Sequence, residues 1–72
     1  PITQDALGRV ERAENALFAL GFTDFRVRVL DDNRAKLQVP AAQLVRIIEL
    51  REQIISVLSS YFEDILLDLR AR

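Results

Sequence analysis

Ala6, Val10, Ala13, Leu17 and Leu20 recur at steps of four and three. Such spacing puts them on one apolar stripe and predicts a helix from about Gln4 to Leu20. Thr3 is the expected N-cap, and Asp5 suits the positive first turn. Gly21 follows the last stripe residue, where a left-handed residue can close the helix while Phe22 folds back on its last turn. Glu11, Arg12 and Asn15 fall on the opposite, solvated side.

From Phe25 the period changes to two. Phe25, Val27 and Val29 point one way, and Arg26, Arg28 and Leu30 the other. Asp31-Asp32-Asn33 is a turn cluster, because Asp and Asn bond their own backbone and tolerate positive φ. Alternation resumes with Ala35, Leu37 and Val39 on one face and Arg34, Lys36 and Gln38 on the other. The pattern predicts a β-hairpin with one apolar and one basic face. Pro40, which cannot donate to a ladder, ends the second strand and opens the next helix.

A second helix is expected from about Ala41 to Ser60. Leu44, Ile47, Ile48, Ile54, Ile55, Leu58 and Phe62 form its core stripe, widened by Val45, Leu50, Val57 and Tyr61. Asp64 to Leu69 suits a third strand, with Ile65, Leu67 and Leu69 on one face. A strand–helix–strand connection is right-handed, so this strand should run parallel to the second. The fold class is therefore α+β, in the order α-β-β-α-β: a three-stranded mixed sheet with two helices on one face.

Composition narrows the function. Residues 1–72 suffice for one small domain; 50% are hydrophobic and 29% charged, with both signs mixed, so the chain has surface to bury and is expected to fold. Cys and His are absent, which removes disulfides, thiol catalysis, zinc-finger geometry and Ser-His-Asp devices. Gly8 and Gly21 are isolated, so there is no phosphate-cradling glycine loop, and the 72-residue chain is expected to lack ATPase or ATP-pyrophosphatase activity by itself. A net charge of −1 and the lack of aromatics among the basic positions argue against a nucleic-acid partner. No apolar run is long enough for a membrane span and the start is no signal peptide, so no membrane partner and a cytoplasmic location are expected.

Arg26, Arg28, Arg34 and Lys36, with Gln38 among them, share the polar hairpin face. One reading is a solvated face whose charges pair with Asp31, Asp32 or the helices. The other is a phosphate or carboxylate site, because paired guanidinium groups fit such anions bidentately. Glu11 and Glu14, three apart, could share a cation or simply be solvated. Asp68 interrupts an apolar strand and must lie at the sheet rim or bond to an Arg. Ser56, Ser59 and Ser60 have no base nearby and read as helix-end residues. Leu30, Val45, Leu50 and Leu66 exceed what one helix-covered sheet face requires, and with the open sheet edge they predict self-association.

Arg9-Val10-Glu11-Arg12-Ala13-Glu14, Leu20-Gly21-Phe22, Phe25-Arg26-Val27-Arg28, Val39-Pro40 and Leu67-Asp68-Leu69 follow one another in an order that spans nearly the whole chain. This series resembles the C-terminal domain of the PP-loop ATP-pyrophosphatase family, whose best-known members are sacrificial sulfur transferases of nickel-pincer cofactor biosynthesis. The resemblance implies a parent enzyme that adenylates a pyridinium mononucleotide carboxylate in an N-terminal ATP domain, after which a Cys donates sulfur. It implies that Glu14 is a metal candidate and that Arg26 and Arg28, which Lys36 joins on the hairpin face, hold phosphate. ATP and a divalent metal belong to the full-length family enzyme; no cofactor is assigned to this chain.

The departures from the family pattern are specific. The phosphate loop and the Cys are missing, Val29 and Leu30 stand where histidine is common, and Gln38 replaces an acid before the Val-Pro step. Arg70-Ala71-Arg72 replaces a Gly-Tyr-Arg-Ser-Gly-like stretch. The expected function is a non-catalytic, phosphate-binding and oligomerisation domain of a sulfur-transferase-like enzyme, either a C-terminal fragment or a divergent stand-alone relative. Its expected partners are a phosphate-bearing small molecule and further copies of itself. The alternative is a stand-alone dimerising or regulatory module without a ligand.

Overall fold

The computed structural model describes residues 4–31 and 33–72. Helix α1 spans Gln4–Ala19, and the hairpin strands are β1 (Arg26–Asp31) and β2 (Arg34–Gln38). A 3-10 turn (Ala41–Gln43) leads into α2 (Leu44–Glu49) and α3 (Arg51–Leu58), and β3 covers Asp64–Leu67. The sheet order is β1-β2-β3, with β1 antiparallel and β3 parallel to β2. The α+β architecture is thus the one the alternation and crossover rules predict. The Thr3 cap lies outside the described residues.

Ala6, Ala13 and Leu17 are buried along α1. Gly21, at φ 97°, closes the helix: its N–H donates to the Phe18 carbonyl at 3.0 Å and the Phe22 N–H to that of Leu17 at 3.1 Å. This double bond pattern is a Schellman cap, and it turns Phe22 into the core. The core gathers Leu17, Phe22, Val27, Leu37, Val39, Ile47, Ile54, Leu58 and Phe62 between the helices and one face of the sheet. In the hairpin turn, the Asp31 carboxylate accepts the Asn33 N–H at 2.9 Å. The ladder shifts register between Val29 and Asp31, a bulge at Leu30.

Two expectations need correction. The second helix is not continuous: Leu50 (φ −99°, ψ 18°) divides α2 from α3, although the Leu50 N–H still reaches the Arg46 carbonyl and the Ile54 N–H that of Leu50. The apolar positions here cover more sides than one straight helix can bury. With the bend, Leu44, Ile47, Leu50 and Ile54 all pack on the core, while Val45, Ile48 and Ile55 stay exposed. The third strand stops at Leu67, and Leu69 is exposed rather than inward. There the Asp68 carboxylate takes the Arg70 N–H at 2.9 Å and its carbonyl the Ala71 N–H at 3.1 Å, which turns the chain out of the sheet.

Candidate functional site

The helices pack on the apolar face of the sheet, so the alternate residues form a second face of different chemistry. Arg26 and Arg28 project from β1 toward it, with α-carbons about 7 Å apart by strand geometry. Gln38 stands opposite Arg26, and Lys36 opposite Arg28. In the parallel ladder, Asp64 pairs in register with Arg34 and Leu66 with Lys36. Asp68 follows at the end of β3, next to Gln38.

Hydrogen bonds link much of this face. The Arg28 Nε donates to Gln38 Oε1 at 2.8 Å, and Gln38 Nε2 donates to Asp68 Oδ2 at 3.0 Å. Lys36 Nζ lies 3.9 Å from the same Asp68 oxygen. Arg34 lies 3.8 Å from Asp31 and 3.7 Å from Asp64. The Gln38 amide, reinforced by the Arg70 N–H and the Lys36 and Arg70 charges, holds the Asp68 carboxyl below its ordinary value, with desolvation opposing. Asp68 is therefore the acceptor at the rim that its place in the strand required.

Lys36 and Arg34 are thus engaged by carboxylates within the chain. Arg26 and Arg28 are not: both are exposed, Arg28 touches only a neutral amide, and among the described residues no carboxylate pairs with either. Two guanidinium groups on one strand, with no counter-ion among the described residues, can hold an anion bidentately.

Glu14 does not join them. It is half-buried on α1, in the helix layer, whereas Arg26 and Arg28 belong to the opposite face. Among the described residues no three acidic side chains stand together. Glu11 is exposed, and the Ser59 hydroxyl bonds the Ile55 carbonyl, as a helix-end residue does.

The motif around Arg9 is structural. Arg9 donates to the Tyr61 carbonyl at 3.1 Å, lies 5.4 Å from the Phe62 ring centre and pairs with Asp5 at 3.3 Å. Arg12 lies 5.6 Å from the Tyr61 ring centre. These contacts fasten α1 to the chain after α3. Sequence reading missed Asp64 as a counter-ion for Arg34, because only the β2–β3 register brings the two together. The acidic residues at both ends of an apolar β3 segment were the available signal.

No family model matches the chain, and no curated protein matches it.

Proposed function

We propose that this chain is a non-catalytic, phosphate-binding and oligomerisation domain of a PP-loop ATP-dependent, sulfur-transferase-like enzyme. The observation that carries this reading is the pair Arg26 and Arg28, which share one strand face and, among the described residues, have no carboxylate partner. Phosphate oxygens would bridge the two guanidinium groups, with Lys36 adding positive potential while Asp68 draws part of its charge away. The partner class is a phosphate-bearing small molecule. The domain itself moves no proton and forms no covalent bond; it binds and orients.

The test titrates inorganic phosphate at low and at physiological salt into the wild type and an Arg26→Ala, Arg28→Ala variant. Loss of both charge-assisted contacts should weaken binding about tenfold or more. Equal, negligible binding by the two proteins at low salt overturns the phosphate site.

A second reading, a dimerising module without a ligand, draws on the apolar side chains left at both flanks of the helix layer. These are Leu7 and Phe18 on one flank, and Ile48 and Ile55 on the other. Self-association without phosphate affinity would favour it.

A further inference from the structure

The two edges of the sheet differ, and each difference has its complement on the opposite edge. At the β1 edge, the helix layer presents Leu7 (55% exposed) and Phe18 (58%). Leu7 and Val10 border a groove along residues 26–29, and the Phe18 ring packs 4.7 Å from that of Phe25. At the β3 edge, the helix layer presents Ile48 (62%) and Ile55 (39%) over a groove floored by Ile65 and Leu67. On the other face, the β1 edge is basic, with Arg26 and Arg28. The β3 edge carries Asp64 and Asp68 on either side of Leu66: the Asp64 side chain is 67% exposed and 3.7 Å from Arg34, and that of Asp68 is 18% exposed and shared with Gln38 and Lys36.

From these features we infer that the β3 edge of one copy receives the β1 edge of a second copy, head to tail. β1 runs antiparallel to β2 and β2 parallel to β3, so an incoming β1 in a continuous sheet runs antiparallel to β3. Side-chain alternation then keeps the layers in phase. Leu7 and Phe18 of the second copy meet Ile48 and Ile55, while its arginines meet the acids. With the second copy's Arg26 opposite Asp68, its Arg28 faces Leu66 and lies diagonal to both Asp64 and Asp68, within reach of long side chains. Unpaired backbone groups on both strands are satisfied together.

Charge weighs against the two-fold pairings that centre on these residues. Pairing β1 with β1 about Val27 sets Arg26 against Arg28 of the other copy. Pairing β3 with β3 about Leu66 sets Asp64 against Asp68. Both place like charges directly opposite each other, which destabilises a ladder. A head-to-tail contact leaves each copy with one free edge of each kind, so the assembly grows until the rotation closes a ring or continues as a filament.

This inference deepens the oligomerisation part of the proposed function. Its test uses variants that each block one edge. Arg26→Glu with Arg28→Glu blocks the β1 side, and Ile48→Lys with Ile55→Lys blocks the groove at β3; all four positions are exposed. Leu7→Lys with Phe18→Lys serves as a second β1-side block that leaves the arginines in place. Circular dichroism selects the variants that keep the wild-type fold. Sedimentation velocity at high micromolar concentration should find the wild type associated and each folded variant monomeric alone. An equimolar mixture of a β1-side and a β3-side variant should sediment at twice the monomer mass, since one intact interface remains. A variant that dimerises alone overturns the inference, as does a mixture that stays monomeric. Phosphate titration of the Ile48→Lys, Ile55→Lys variant separates the two claims. Assembly occupies Arg26 and Arg28, so affinity is read in that variant, whose arginines stay free: phosphate affinity there with no assembly of the wild type removes the interface alone, and assembly of the wild type with no affinity there removes the phosphate site alone.

Discussion

Asp68, just past the end of β3, has three partners, the Gln38 amide, the Arg70 N–H and the Lys36 ammonium, and all favour its charged form. Because its folded pKa lies below the ordinary 3.8, it contributes stability that is complete above that value and is lost as pH falls through the folded pKa. Asp68→Asn should therefore be less stable than the wild type at neutral pH. The gap should narrow in acid below 3.8, as read from urea midpoints across pH. Gln38→Ala should raise the Asp68 pKa toward its ordinary value, measured by carboxyl NMR titration. Gly21 gives a backbone case. Apart from its two chain neighbours, no atom of the described residues lies within 4 Å of an added Cβ, so the cost of Gly21→Ala comes from holding φ at 97°. That cost should be about 1–2 kcal/mol in urea denaturation.

At the scale of elements, α2 and α3 show how a broad apolar pattern is resolved. Ile47 and Ile48 are adjacent, as are Ile54 and Ile55, yet the first of each pair is buried and the second exposed. Ile54→Ala should cost about 2–5 kcal/mol through the cavity it leaves. Ile48→Ala should change chemical stability of the monomer by no more than about 0.5 kcal/mol, since it removes only surface contacts. Equal losses at the two positions would contradict this burial phase. The α1 stripe and the hairpin were legible because each has a single apolar face and a sharp stop, at Gly21 and Pro40. The bend at Leu50 was not, because no Gly or Pro marks it and the choice of buried side is made by the facing sheet.

At the scale of the molecule, Arg72 ties the end of β2 to the loop ahead of β1. The Arg72 N–H donates to the Val39 carbonyl at 2.9 Å, and its Nη1 to those of Asp24 and Phe25 at 3.0 and 3.3 Å. Asp24 sits at φ 55°, and these bonds hold the loop ahead of β1 in that conformation. Arg72→Ala should cost about 1 kcal/mol. It should also speed amide hydrogen exchange in the 23–25 loop while leaving the β2 ladder protected. Uniform loss of protection would show that the clasp supports the whole domain instead.

Local patterning by itself determined the element order, the hairpin with its two faces, the parallel third strand and the arginine pair. Each follows from a short-range period, a turn residue or the handedness of a crossover. Only the tertiary structure decided which carboxylates the sheet cations meet. Lys36 and Arg34 find Asp68 and Asp64 through a parallel register between residues about thirty positions apart, which no local period encodes. It likewise separated Glu14 from the arginines, because the helix packs on one face of the sheet and alternation sends the arginines to the other.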